Sequence, residues 1–430
     1  MKEIVKVGLL GFGTVGGGVY QIINNHQEEL RHRVGSAIQV ERILIKDEQK
    51  ERDIQVDPLL LTTRPEDILY DPEIDIVIEV MGGIEETKKM ILEALRQKKH
   101  VITANKDLMA LYGGELLATA TEYRCDLFYE ASVAGGIPII RSLVDGLASD
   151  RVTKMMGIVN GTTNFILTKM TKESADYADV LKEAQALGYA ESDPSGDVEG
   201  LDAARKMVIL SQLGFHMKFT LNDVYVEGIS QVTKDDIEYA GQLGYTVKLL
   251  GIAQRDEGQV EISVQPALLP NEHPLASVNN EYNAVYIYGE AIGETMFYGP
   301  GAGQFPTATA VVSDLVAVVR NMLLGVNGQH ASLPQYETLL KSDTTICSKF
   351  FLRFHVKDQA GAFAQITTLF AENGISLEKL IQEPIGKQGL AEVVIVTHRT
   401  NREAYNRLLS QLNDLELVEK LQSSYRVEGE

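Results

Sequence analysis

The chain has 430 residues, 44% of them hydrophobic, and a formal net charge of −20. That length implies roughly two or three domains around a sizeable core, and the acidic balance argues against a nucleic-acid partner, which needs a basic face. Its two cysteines, Cys125 and Cys347, form no disulfide framework and suit a reducing, cytoplasmic compartment. No stretch reads as long and apolar enough to span a membrane. The opening MKEIVKVGLLGFG has only a brief apolar run before a glycine loop, so it reads as a first strand rather than a signal peptide.

In chain order, IVKVGLL (4–10) is a buried strand. It is followed by GFGTVG (11–16) and a helical pattern through Ile22 and Ile23. Further strands are expected at 40–46 (VERILIK), 74–80 (IDIVIEV), 100–105 (HVITAN) and 126–133 (DLFYEASV), with helical spacing between the second and third of these. Strands alternating with helices imply a parallel sheet wound on both faces. After about residue 137 the pattern becomes mixed α+β. Helical periods fall at 138–149, 161–171, 176–187, 197–213 and 234–243, and strands at 245–254, 259–268, 283–289 and 292–298. GPGAGQFPTA (299–308) opens a long apolar helix over 307–325 that could pack back on the first domain. Residues 328–348 are polar, like a linker. From 349 the order strand, helix, strand, strand, helix, strand suggests a ferredoxin-like domain.

GFGTVG matches G-x-G-x-x-G between a strand and a helix, the setting of a dinucleotide site. Gly11 would allow the tight turn, Gly13 the approach of a pyrophosphate, and Gly16 close helix packing, while amides at Thr14 and Val15 face the phosphates. At the end of the second strand an acid would suit the ribose hydroxyl of NAD and a base the 2′-phosphate of NADP. Lys46 leans toward NADP, whereas Asp47 keeps NAD open.

A second signal lies in GLDAARKM (200–207). Asp202 and Lys206 are four apart and share a helix face, yet Ile209 and Leu213 continue that stripe as core residues. An exposed ion pair would contribute only about 0.3–0.5 kcal/mol and would usually sit among polar neighbours. A charged start running into an apolar end suggests the wall of a cavity, with an ordinary exposed helix pair as the alternative that the spacing leaves open.

These stretches carry a family resemblance. GFGTVG, ITANK (102–106), EASVAGGIP (130–138), GIVNGTTNFIL (157–167) and GYAESDPSGDVEGLDAARK (188–206) occur in the order found in homoserine dehydrogenases of the single-function type with a C-terminal ACT domain. The resemblance implies an α/β fold of three parts: a Rossmann domain over 1–137 completed by a returning helix at 303–325, a mixed α+β substrate and dimerisation domain over 138–302, and, after a linker at 326–348, a ferredoxin-like ACT domain over 349–430. It implies reversible NAD(P)-dependent reduction of aspartate 4-semialdehyde to homoserine, at the branch toward threonine, isoleucine and methionine. By resemblance Lys206 donates and accepts the proton at the substrate oxygen, and Lys106 projects toward the nicotinamide. Asp202, Glu191 and Asp197 bind substrate beside Gly161 and Thr162. Phe12, Thr103, Gly188 and Gly303 join the glycine loop and Lys46 around the nucleotide.

The resemblance also implies a monovalent cation, usually sodium, held by the Glu130 side or main chain and the carbonyls of Val133, Gly135 and Ile137. It implies a homodimer or homotetramer, and threonine as an effector of the ACT domain, where Asp358 and Gly361 shape the first strand-to-helix loop and Asn373-Gly374 ends the helix. Two rival readings make opposite demands. An aspartate-semialdehyde dehydrogenase would need a nucleophilic cysteine, for which neither Cys125 nor Cys347 has the setting. A catalytically dead amino-acid sensor would have lost some of Lys106, Glu191, Asp202 and Lys206, and all four are present.

Overall fold

The computed structural model describes residues 2–50, 52, 54–329, 333–386 and 389–429. Residues 1, 51 and 53 of the expected first domain, 330–332 of the expected linker, and 387, 388 and 430 of the expected C-terminal domain lie outside the described residues. The elements run β1 (Ile4–Leu10), α1 (Thr14–Asn25), α2 (Gln27–Val34), β2 (Ala37–Leu44), β3 (Leu61–Thr62), α3 (Glu66–Leu69), β4 (Ile76–Glu79), α4 (Glu85–Arg96), β5 (His100–Thr103), α5 (Lys106–Glu122), β6 (Leu127–Phe128) and the short α6 (Ile139–Arg141). The middle of the chain adds β7 (Val152–Ile158), α7 (Gly161–Glu173), α8 (Tyr177–Ala186), α9 (Ser195–Val198), α10 (Leu201–Phe215), β8 (Tyr225–Val226) and α11 (Lys234–Gln242). Then come β9 (Tyr245–Asp256), β10 (Gln259–Pro270), β11 (Tyr282–Gly289), β12 (Gly293–Pro300) and α12 (Gln304–Leu324). The C-terminal part is β13 (Cys347–Lys357), α13 (Ala362–Glu372), β14 (Leu377–Ile385), β15 (Leu390–Thr397), β16 (Thr400–Asn401), α14 (Arg402–Asn413) and β17 (Val418–Val427).

Packing divides the chain into two units. One comprises Met1–Met155, Arg205–Asp223 and Asn283–Glu337, the other Met156–Ala204, Val224–Tyr282 and Thr338–Glu430. Within the first, a six-stranded sheet has the order β3-β2-β1-β4-β5-β6, and its pairings are parallel. β1 and β4 are largely apolar because both faces of the sheet's centre are covered, whereas β2 carries Gln39, Glu41 and Arg42. β2, at Ala37–Leu44, starts and stops ahead of the expected 40–46. Val7, Leu9, Ile43, Ile76 and Ile78 share one core with Ala308, Val311, Leu315, Val318 and Val319 of α12. Among the described residues α12 alone has the length and apolar character to cross a membrane, contrary to the expectation that no stretch would. Its apolar face is accounted for by this core.

Two expected elements are shorter than their sequence pattern. The strand expected over 126–133 pairs only at Leu127–Phe128. Beyond it the Glu130 amide donates to Asp314, and Glu130–Ser132 closes into a 3₁₀ turn. The helix expected over 138–149 holds for one turn and then widens into a π-turn at Ser142–Gly146. β7, with Lys154 and Thr153 interrupting its apolar residues, carried no strand signal in the sequence.

In the second unit β9, β10, β17, β13, β15 and β14 lie side by side in that order. The last four, with α13 and α14, form the expected ferredoxin-like layer around Phe350, Leu352, Phe354, Ile366, Phe370, Leu408 and Leu412. Its outer strand β17 pairs in parallel with β10 through Ala267 and Leu268. Buried ion pairs follow the same seam. Arg426 Nη2 lies 2.8 Å from Glu261 Oε1, and Arg353 Nε donates to Asp236 Oδ1 at 2.7 Å. Ser423 and Tyr425 also donate to Asp236.

Candidate active site

The nucleotide loop belongs to the first unit. Gly11 has φ +105°, and a Cβ there would fall 2.9 Å from the Met81 backbone. A Cβ on Gly16 would lie 2.3 Å from the Gly11 carbonyl, so the helix starts close under the turn. Gly13 is the N-cap of α1 and brings no side chain to its free amides, which leaves the first turn at Thr14 and Val15 open to a phosphate. Gly11, Phe12, Gly13 and Lys46 border one cavity of about 540 Å³. Lys50 and Arg52 stand on its wall as well. The Asp47 carboxylate accepts the Gln49 amide at 2.8 Å, so it is folded into its own turn. Gly303 is the N-cap of α12 in the same unit.

Thr103, expected at the nucleotide, is fully buried. Its hydroxyl donates to Glu79, and the same oxygen accepts the Asn105 amide at 3.0 Å. Glu79 also accepts the amides of Met81 and Gly82 at 2.9 and 3.0 Å. Burial pushes its carboxyl up, and these donors oppose that. Asn105 caps α5 by accepting the Leu108 amide and donates to the Gly83 carbonyl at 2.7 Å. Thr103, Glu79 and Asn105 therefore fix the point from which Lys106, the first residue of α5, projects. Glu79 and Asn105 hold this helix start, and the sequence reading missed both. Asn before a helix is a cap signal, whereas a glutamate inside an apolar strand signals nothing about its partners.

The acidic residues lie in the second unit. Asn160, the N-cap of α7, accepts the Thr163 amide with its carbonyl oxygen. Its amide nitrogen donates to Asp197 Oδ1 at 2.7 Å and to Asp202 Oδ2 at 2.8 Å. One neutral side chain thus holds two carboxylates together, and Asp202 is only 8% exposed. Gly161 and Thr162 form the first turn of α7, and Thr162 Oγ1 donates to the Tyr189 carbonyl at 2.6 Å. Tyr189 packs on Phe165, and Gln185 donates to the Glu191 carbonyl. The segment that holds Gly188 and an exposed Glu191 is tied by these bonds to α7 and α8. Asn160 was the unrecognised hub, although it stood in the quoted GIVNGTTNFIL.

Asp202 and Lys206 are one turn apart on α10, as the sequence spacing requires. α10 passes from the second unit to the first between Ala204 and Arg205. In the first unit Arg205 Nε lies 3.0 Å from Asp107 Oδ1, which joins the residue beside Lys206 to the residue beside Lys106.

The loop after β6 is fixed by charge. Glu130 accepts the amides of Ile140 and Arg141 at 2.7 and 2.8 Å, so its carboxylate faces the start of α6. Arg141 Nη2 donates to Asp314 at 2.6 Å, and burial pushes the Asp314 carboxyl up to about 7. Gly135 has φ +51°, and a Cβ there would fall 2.4 Å from the Gly301 carbonyl. The Glu130 carboxylate is thus occupied by main-chain donors, and the Glu130 and Ile137 carbonyls accept the Val133 and Ile139 amides at 3.4 and 2.8 Å. Among the described residues no cluster of three or more His, Cys, Asp or Glu side chains is built for a metal. Cys125 is buried, with burial pushing its thiol up to about 12, and Cys347 lies exposed at the start of β13. The buried thiol is no nucleophile at neutral pH.

A family model for homoserine dehydrogenase matches residues 138–316, and one for the homoserine dehydrogenase NAD-binding domain matches 11–130. The chain is 60% identical over 428 residues to a homoserine dehydrogenase of Bacillus subtilis, covering 99% of both proteins. It belongs to the homoserine dehydrogenase family. An ACT-domain model matches residues 350–417. A homoserine dehydrogenase of Pseudomonas aeruginosa is 41% identical, over 96% of each chain. The solved homoserine dehydrogenase of Thiobacillus denitrificans superposes with a TM-score of 0.93 at 40% identity, over 99% of both chains. A hyperthermophilic archaeal homoserine dehydrogenase, solved with NADPH, gives a TM-score of 0.61 at 28% identity and covers 73% of this chain and 97% of its own. The protein is accordingly an oxidoreductase of this family, with a nicotinamide-nucleotide-binding domain and an ACT domain.

Proposed function

We propose that the protein interconverts L-aspartate 4-semialdehyde and L-homoserine, at the branch toward threonine, isoleucine and methionine. The observation that carries this reading is the start of α10, where Asp202, bridged by Asn160 to Asp197, stands one turn from Lys206. A bound nicotinamide would supply hydride to the aldehyde carbon in reduction and accept it from the carbinol carbon in oxidation. As the carbonyl oxygen gains negative charge, the Lys206 ammonium stabilises it and delivers a proton to it. In the reverse direction a neutral Lys206 takes that proton from the alcohol. Lys106, at the start of α5, adds positive charge toward the same oxygen. Asp197 and Asp202 bind the amino-acid portion, Glu191 holds the ammonium, and Gly161 and Thr162 contribute the first turn of α7.

NADP is the preferred nucleotide. Support comes from Lys46, Lys50 and Arg52, which line the cavity beside the glycine loop together with Asp47, whose carboxylate accepts the Gln49 amide. Gly188 and Gly303 contribute to the nucleotide's surroundings, whereas Thr103, expected there, is buried and supports Glu79 and Asn105 instead. The carbonyls of Glu130, Val133, Gly135 and Ile137 hold sodium or a similar ion, which braces the loop. The three-part division at residues 137, 302 and 348, a homodimer or homotetramer, and threonine feedback through the ACT domain belong to the same reading.

The deciding measurement is NADPH consumption with aspartate 4-semialdehyde, wild type beside Lys206→Ala, both verified as folded. The variant is expected to be slower by a factor on the order of 10² or more. A wild type inactive with NADPH and with NADH would overturn the assignment. Millimolar threonine is expected to lower the rate or raise Tm; no change in either removes the regulatory part.

A further inference from the structure

Two lysines that act on one oxygen repel each other, and each sits at the end of a long flexible stem. Something must hold their helix starts together. Within the first unit the start of α5 carries Lys106-Asp107 and the start of its portion of α10 carries Arg205-Lys206. Asp107 and Arg205 meet at 3.0 Å. The oxygen involved, Asp107 Oδ1, has no contact with solvent, and the approach of Arg205 Nε is Coulombic rather than an aligned hydrogen bond. The two side chains keep 30% and 38% of their surface exposed, so screening by water is reduced at this one oxygen and not across the whole pair. Asp107 is also the acidic residue of the first turn of α5, where the helix dipole favours it.

We infer that Asp107 and Arg205 are a positioning pair, which sets the separation of Lys106 and Lys206 without touching substrate. The inference rests on the catalytic roles proposed above for the two lysines. A displacement on the order of 1 Å in a reacting group can lower a rate by about 10²-fold, so a partial loosening of two helix starts should lower kcat while leaving nucleotide binding intact.

The test is a double-mutant cycle on the full chain: Arg205→Gln, Asp107→Asn and both together, with Arg205→Lys as the conservative variant and Lys106→Ala and Lys206→Ala alongside. Each single change of the pair is expected to lower kcat by about 5- to 20-fold with an unchanged KM for NADPH. The double variant should fall within about 2-fold of the worse single, because one interaction can be lost only once. Arg205→Lys should recover most of kcat. Singles within about 2-fold of wild type, losses that multiply in the double variant, or a kcat that merely follows Tm would each overturn the pair's role. If the two lysine variants are impaired and the pair variants are not, this inference alone fails. If the lysine variants are fully active, the proposed chemistry fails and takes the pair with it.

Discussion

Asn160 donates to Asp202 across 2.8 Å, joining the cap of α7 to the first turn of α10. Because the same amide also holds Asp197, this residue controls both the charge density and the spacing of the acidic pair.

Replacing Asn160 separates two of its roles. Asn160→Ser keeps an N-cap oxygen for Thr163 but cannot bridge two carboxylates. Asn160→Ala loses both, and the missing cap costs about 1 kcal/mol. Both variants are expected to raise KM for homoserine by about 10-fold, with only the alanine form losing several degrees of Tm. A normal KM in Asn160→Ser would separate the bridge from substrate binding.

The nucleotide preference should follow charge at the end of β2. Lys46→Glu is expected to lower kcat/KM with NADPH by about 10-fold and to leave NADH within about 2-fold, since only the 2′-phosphate meets that charge. Equal losses with both nucleotides would show that Lys46 supports the loop and does not read the phosphate.

On the proposed chemistry, homoserine oxidation uses Lys206 as the proton acceptor and aldehyde reduction uses it as the donor. The oxidation rate should therefore climb from neutral to alkaline pH in the wild type, and the residual rate of Lys206→Ala should not. A flat wild-type profile would remove proton acceptance by a lysine from the mechanism.

Lys248 is 1% exposed and donates to the Asn164 side chain and the Val278 carbonyl beneath α7. Burial, assisted by Lys172, pushes its ammonium down to about 8 from 10.5. Between those values the unfolded chain keeps a proton that the folded chain has released, so stability rises with pH across that window. Below about pH 8 the whole cost of the buried charge, on the order of 3 kcal/mol, is present. Lys248→Met removes the titration. The Tm of wild type relative to this variant is expected to grow by several degrees between pH 8 and pH 10, and a constant difference would contradict the assignment.

What the sequence made legible follows from how each feature is encoded. The glycine loop, β1, β4 and α10 carry their structure in local spacing, because buried parallel strands are continuous apolar runs and a helix face repeats every turn. Asp202 and Lys206 could be paired from spacing alone. The strand expected through Val133 was not legible in its true length, since Asp314, far along the chain, draws the Glu130 amide out of the ladder. Asn160 and Glu79 were hidden for the same reason: an amide that bridges Asp197 to Asp202, or a carboxylate that fastens Met81, Gly82 and Thr103, is defined by partners brought together by folding. Asp107 and Arg205 flank the noticed lysines, and nothing in local sequence says that they meet.

The seam between β10 and β17 bears on whether the C-terminal domain can be removed from this enzyme. Cutting the chain ahead of β13 would strip Arg353 from Asp236 and Arg426 from Glu261 and open both carboxylates, with the apolar surface around them, to water. It would also bare the edge of β10 that β17 now covers, an open template for aggregation. The C-terminal domain is thus inherited together with the strand it seals. Changes to this domain are better made as single substitutions on its exposed face, and a gene truncated ahead of β13 should yield inclusion bodies.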